Sequence, residues 1–324
     1  MRRRAFLAGL GCTVAFPLPV GAQQSSLPVI GFLRSTGPAS FENYVKAFRQ
    51  GLKEAGFVEG QNVLVEYRYA DNQLDRLPAL ADELIQRPAS VIVGDTLPAL
   101  SLKKRTTTVP IVFATGGDPV AAGLVASLNQ PSANVTGVVF FGTSLGAKRL
   151  ELLRQVAPKA TTIAMLVNRS NPNAEVERQD VQAAAQTMGQ PLVILEANST
   201  SDIDAAFRTF AQRGAGAVLS GAGAFMNANR KQIAALAASY GLPSMFVVRE
   251  AALEGGLIAY GPSVPDAYRQ VGIYAGRILK GEKPADLPVI RSTKFEFVIN
   301  LKTARTLGLD IPQPLLAQAD EVIE

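Results

Sequence analysis

The pentapeptide Gly142-Thr143-Ser144-Leu145-Gly146 has the Gly-x-Ser-x-Gly spacing that sets a nucleophilic serine on a strand-to-helix turn. Such a serine needs a general base, normally histidine, to take its proton. The chain contains no histidine, no tryptophan and a single cysteine, Cys12. The usual general base and the Cys/His ligand set for zinc are therefore both missing. Carboxylate, lysine or tyrosine chemistry is the enzymatic route left. The glycine-rich run from Gly214 to Gly223 lacks the spacing and the strand-to-helix context of a dinucleotide loop. Lys103-Lys104-Arg105 is the densest basic cluster, and three adjacent charges read as a solvated helix end rather than a nucleic-acid surface. No catalytic residue, metal or cofactor is expected.

What remains are groups suited to holding a small molecule. Ser35 and Thr36, Asp95 and Thr96, and Gly117 and Asp118 each follow a short apolar run. They offer hydroxyls, backbone N–H groups and carboxylates, and a partly buried aspartate there needs a partner such as a ligand ammonium. Asp118 has a rival role as the cap of a helix starting at Pro119. In the second half Asn168 and Asn171, Gly221 and Ala222, and Arg249 occupy matching places. Arg249 has the fork for a ligand carboxylate, or else pairs with Glu250. Phe140, Thr143 and Tyr260 stand where the chain is expected to pass between its halves; the aromatics there sandwich a flat ligand or pack a hinge.

The elements that carry these residues alternate strand and helix. Val29–Leu33, Val63–Tyr67, Ser90–Val93 and Pro110–Ala114 read as buried strands. Phe41 to Ala55 is an amphipathic helix stopped by Gly56, and Leu77 to Ile85 a second one with Asp75 as its N-cap. The same order returns with strands at Thr162–Val167, Leu192–Leu195, Ala217–Leu219 and Ser244–Val248. Its helices are Ala174 to Met188, stopped by Gly189, and Ile203 to Gln212, capped by Asp202 or Ser201. Ile30 and Ile163, Gly56 and Gly189, and Pro110 and Pro243 all stand 133 residues apart. The fold class that follows is α/β: two doubly wound Rossmann-like lobes with parallel sheets, hinged by crossover strands. Open parallel sheets bind ligands beyond the carboxyl ends of their strands, so two facing lobes share one cleft. At 324 residues, the chain is long enough for two cores.

Residues 1–22 read as an export leader. Arg2-Arg3-Arg4 precedes an uncharged stretch from Ala5 to Val20, and Val20-Gly21-Ala22 fits a cleavage site. Arg3-Arg4-Ala5-Phe6-Leu7 resembles the twin-arginine pattern. Three of the five net positive charges lie in this leader, so the mature chain is nearly neutral and free of cysteine. A periplasmic location is expected.

Several motifs, in order, carry a family resemblance. They are Phe48-Arg49-Gln50-Gly51-Leu52-Lys53-Glu54-Ala55-Gly56, Glu59-Gly60-Gln61-Asn62-Val63, Gly117-Asp118-Pro119-Val120 and Asn134-Val135-Thr136-Gly137-Val138. Further on come Lys148-Arg149-Leu150-Glu151-Leu152-Leu153, Tyr268-Arg269-Gln270, Phe297-Val298-Ile299-Asn300-Leu301 and Ala319-Asp320-Glu321-Val322-Ile323. Over essentially the whole mature chain the sequence resembles the ABC-transporter substrate-binding family that includes tryptophan- and tyrosine-binding members. The resemblance implies the type I periplasmic binding fold, a small-molecule ligand, an ABC permease and ATPase as partners, and a monomer. One lobe is expected at 27–141 with a returning segment near 263–288, and the other at 142–262 with 289–324. The expected ligand is an amino acid or an aromatic or organic acid. A sensory receptor built on the same clamp, reporting to a membrane kinase or chemoreceptor, stays open beside transport.

Overall fold

The computed structural model describes residues 27–39, 41–131 and 133–324. The leader at 1–22 and Cys12 lie outside the described residues. The first run of elements is β1 (Val29–Arg34), α1 (Glu42–Glu54), β2 (Leu64–Tyr69), α2 (Leu77–Gln86), β3 (Ala89–Asp95), α3 (Thr96–Lys103), β4 (Ile111–Thr115) and β5 (Val135–Val139). The second is α4 (Gly146–Val156), β6 (Ile163–Val167), α5 (Ala174–Thr187), β7 (Leu192–Glu196), α6 (Thr200–Gln212), β8 (Ala217–Ser220), α7 (Ala224–Ala228), α8 (Arg230–Ser239), β9 (Ser244–Phe246), α9 (Arg249–Leu253) and β10 (Ile258–Pro262). The chain ends with α10 (Val264–Leu279), β11 (Ile290–Arg291), β12 (Phe295–Asn300), α11 (Leu301–Thr306), α12 (Gln313–Gln318) and β13 (Glu321–Ile323).

Two sheets result. Their strand orders are β11-β5-β4-β3-β1-β2 and β13-β12-β10-β9-β8-β6-β7. The cores of the two orders, β2-β1-β3-β4-β5 and β7-β6-β8-β9-β10, are the same arrangement, so the 133-residue offset reflects one topology used twice. All pairings are parallel except β10 with β12. Central β4, β5 and β6 are buried along their length, because helices cover both faces of a parallel sheet. Edge strands β2 and β7 are only half-buried. The paired helix stops also correspond. Gly56 (φ +90) and Gly189 (φ +61) take the left-handed conformation, and the next residues close the helices by Phe57 N–H to Leu52 O (2.9 Å) and Gln190 N–H to Ala185 O (2.8 Å).

Two capping expectations change. Asp75 lies inside a short 3-10 turn, Leu74–Arg76, and caps nothing. Ser199, not Ser201 or Asp202, caps α6; Asp202 sits at the third helical position and completes a capping box with it.

The chain passes between the sheets three times: after β5, after β10 and before β12. At the first pass Phe141 holds a left-handed backbone (φ 46, ψ 38), a strained state for a bulky residue. The second and third passes are joined by Ser263 N–H to Lys294 O (2.8 Å). Strand β11 pairs with β5, and Ser292 N–H still bonds Val139 O, so first-sheet material runs a few residues beyond the expected return at 288.

Helix α10 returns from the second sheet to pack on α1. The two approach through glycine: a Cβ at Gly51 would lie 1.9 Å from Arg269 O, and one at Gly272 would lie 2.2 Å from Phe48 O. Helix propensity favours alanine over glycine by about 1 kcal/mol, but overpacking here costs more, on the order of 3 kcal/mol. Gly272→Ala is therefore expected to lower the melting temperature by several degrees, checked by circular dichroism against Lys53→Ala on the exposed face of α1.

Candidate functional site

Between the two sheets lies a cavity of about 110 Å³. It is lined by the loops after β1, β3, β4 and β5 of the first sheet and after β6, β7, β8 and β9 of the second. The halves meet around it. A Cβ on Gly117 would fall 2.1 Å from the Asn173 side-chain amide, and Tyr44 Oη donates to Glu250 Oε2 at 3.5 Å. One apolar cluster runs without a break from Phe32 and Phe48 through Tyr44 and Tyr268 to Phe225 and Val247 of the other half. The cleft is closed.

Arg34 and Asp95 are the two charged residues among those lining the cavity. Arg34 Nη1 lies 2.7 Å from Asp95 Oδ2 and donates to Tyr268 Oη at 2.6 Å. The Phe41 ring covers the guanidinium, 3.7 Å from its carbon. Arg34 Nε is buried with no partner among the described residues. Ser35 donates to Asp95 Oδ2 from its hydroxyl (2.9 Å) and its N–H (3.3 Å). Asp95 occupies the N-cap position of α3 yet makes no capping bond, because Arg34 and Ser35 hold its carboxylate. Its other oxygen, Oδ1, takes no hydrogen bond from the described residues. Tyr268 is buried, and desolvation pushes its hydroxyl well above the ordinary phenol range, so it stays protonated.

Apolar groups form much of the remaining wall: Phe41, Leu97, Phe140, Phe225 and Val247. Asn72, Asn173 and Asn227 reach the cavity with side-chain amides that bond no other described residue. The site is thus neutral overall, part aromatic, with uncommitted amide groups and one carboxylate oxygen. It suits a small molecule carrying a cationic group and a flat apolar body. Among the described residues no His/Cys/Asp/Glu cluster fit for a metal occurs.

Ten of the fourteen sequence candidates line this cavity: Ser35, Thr36, Asp95, Thr96, Gly117, Phe140, Thr143, Asn168, Asn171 and Ala222. Four stand elsewhere. Asp118 accepts from Val120 N–H (2.8 Å) and Ala121 N–H (3.2 Å), closing a turn rather than a helix. Gly221 lies behind the wall, its N–H on Leu166 O. Arg249 makes a two-pronged ion pair with Glu321 of β13 (2.6 and 2.8 Å), not with Glu250 or the cavity. Tyr260 packs edge-on against Phe297 on the outer side of β10. Sequence reasoning missed Arg34, Phe41, Tyr44, Asn173, Phe225 and Tyr268. Arg34 carried a signal, a charge ending a buried strand; Tyr268 reaches Arg34 only because α10 returns to the first sheet.

Residues 30–323 match the sequence model of the family described as ABC transporter substrate binding protein. The chain belongs to that family. Its members are solute-binding proteins rather than enzymes and are typically extracytoplasmic. A Streptococcus pneumoniae domain solved in complex with L-Trp superposes with a TM-score of 0.83 at 25% identity, covering 92% of this chain and 100% of that one. The tyrosine-binding protein of Clostridioides difficile is 24% identical over 285 residues, 86% of this chain and 81% of its own length. A ligand-free, open substrate-binding protein from Clostridium difficile gives a TM-score of 0.64 at 22% identity, covering 92% and 99%. The fold is that of type I periplasmic binding proteins.

Glu250 offers a titration test of the closed cleft. Burial raises its carboxyl above the usual range; Arg230 opposes this and Glu296 adds to it. A raised folded-state value means that the folded protein holds the proton more tightly than the unfolded chain. The associated stability is full below about pH 4.3 and is lost as pH rises through the folded value. Glu250→Gln removes that loss. Thermal melts from pH 4.5 to 8 should show the wild type falling progressively behind the variant; a constant difference across the range would contradict this account.

Proposed function

We propose that this substrate-binding protein is the exported receptor of an ABC importer and closes by hinge motion over an amino acid with an apolar, flat side chain. One observation carries the reading: a cavity lined by strand-end loops of both sheets contains a charge pair with an unused carboxylate oxygen beside aromatic walls. Asp95 Oδ1 receives the ligand ammonium, and the free amides of Asn173 and Asn227 are donors within the site for its carboxylate. Phe41, Phe140 and Phe225 flank the side chain. The L-Trp complex of the pneumococcal domain and the name of the clostridial tyrosine-binding protein support an aromatic amino acid.

Hinge closure is supported by the three chain passages between the sheets and by Gly117 meeting Asn173 across the cleft. Ligand contacts from both halves favour the closed form over the open one. The permease then recognises the closed form. The leader at residues 1–22 takes the protein to the periplasm and is removed after about Ala22.

The mature chain from Gln23 should be melted with L-Trp, L-Tyr, L-Phe, L-Leu and a panel of sugars. A cognate ligand at about 1,000 times its Kd stabilises by about 4 kcal/mol. An aromatic amino acid is expected to give the largest shift. Asp95→Asn should weaken its binding by at least about tenfold, a loss of about 1.4 kcal/mol. The matching acid without the amino group should be indifferent to that substitution. A shift with a sugar and none with any amino acid would sink the ligand assignment.

A further inference from the structure

The loop after β8 contributes Ala222 and, one turn on, Phe225 to the cavity wall. The polar atoms of Ala222 are turned away from it. Its N–H donates to both oxygens of Glu177 (3.0 and 2.9 Å), and its carbonyl accepts from Asn171 Nδ2 (2.9 Å). Glu177 is ion-paired with Arg149, whose Nη1 donates to Ser220 O at 3.0 Å. Both side chains are fully buried, and neither lines the cavity. Gly221 allows the loop to lie this close: a Cβ there would stand 2.9 Å from Leu166 O and 3.4 Å from Glu177 Oε2. What Ala222 offers a ligand is its methyl group, and Phe225 its ring.

We propose that the buried Arg149–Glu177 pair is a positioning device that fixes Ala222 and Phe225 as an apolar wall, and that this wall selects the bound solute by side-chain size and shape. The inference rests on the amino-acid reading above. A buried ion pair is about neutral against apolar residues of equal volume, so stability alone does not account for it. Its work is geometric. Arg149 belongs to α4, the first helix after the chain leaves β5, and Glu177 to α5. Asp180, one turn on from Glu177, accepts from Ala147 N–H at 3.0 Å and locks the two helices together. The wall is thereby fixed within the second half, to the helix that follows the first crossing between the sheets.

Three variants test this: Glu177→Gln, Arg149→Lys and Ala222→Val. Two measurements are made well below each melting temperature. They are calorimetric affinities for L-Trp, L-Tyr, L-Phe and L-Leu, and hydrogen exchange of the Ala222 amide against that of Val218. Glu177→Gln should speed exchange at Ala222 by about tenfold or more while sparing Val218, weaken the best ligand by about tenfold, and narrow the spread among the four. Arg149→Lys should do the same to a lesser degree. Ala222→Val leaves the pair intact and should penalise aromatic ligands more than L-Leu. Affinities and their ratios unchanged in a folded Glu177→Gln protein of lowered melting temperature would reduce the pair to a stabiliser and overturn the proposal, as would equal losses for all ligands in Ala222→Val. If the wild type binds none of the four, the amino-acid reading is what fails. The positioning claim is then decided by Ala222 exchange, and unaltered exchange in Glu177→Gln overturns it.

Discussion

The Arg34–Asp95 ion pair joins three parts of the chain that the sequence keeps far apart. Arg34 ends β1, Asp95 ends β3, and Tyr268, which takes a hydrogen bond from Arg34, belongs to the helix that returns from the second sheet. Two buried charges in a low-dielectric site must be paired and hydrogen-bonded or they are costly. The pair is satisfied by Ser35, Tyr268 and the face of Phe41. This draws Asp95 off its helix terminus and leaves one oxygen for a ligand. It also gives the cavity a neutral balance, so a zwitterion can be received without either of its charges meeting an excess of like charge.

Around that contact the two sheets are arranged as copies. Each repeats the order that puts the first strand beside the second and third, where strand-end loops diverge and leave a crevice. Facing the crevices toward each other turns two shallow sites into one shared cavity. Three connections join the two halves, and the left-handed Phe141 marks the first of them. The returning helix α10 packs so closely on α1 that only glycine fits at the crossing. The first lobe is therefore completed by residues that follow β10 of the second. The second lobe is completed in turn by β12 and β13, pinned through Arg249 and Glu321.

The two walls of the cavity do different work. The first-sheet side brings charge and hydroxyls at Arg34, Ser35 and Asp95. The second-sheet side brings amides and an apolar shelf whose backbone is tied back by Glu177 and Asn171. Aromatic rings come from both walls, Phe41 and Phe140 from the first and Phe225 from the second, so each half brings polar and apolar groups to the one cavity.

By itself the sequence determined the α/β class, the duplicated order of strands and helices, the helix stops at Gly56 and Gly189, and the loops that face the cleft. These follow from local rules: apolar runs bury as parallel strands, glycine ends helices, and ligands meet strand carboxyl ends. It also marked Asp95, Asn168 and Asn171, because polar groups directly after buried strands stand at the cleft. The tertiary structure alone decided which members of those loops turn inward. Arg249 was taken by Glu321, Asp118 by its own turn, and Tyr260 by Phe297. Arg34 gained its partner Tyr268 through a helix far along the chain. The physical reason is that spacing reports which side of an element is buried, whereas the partner of a charge or a ring depends on what other segments bring to the same place.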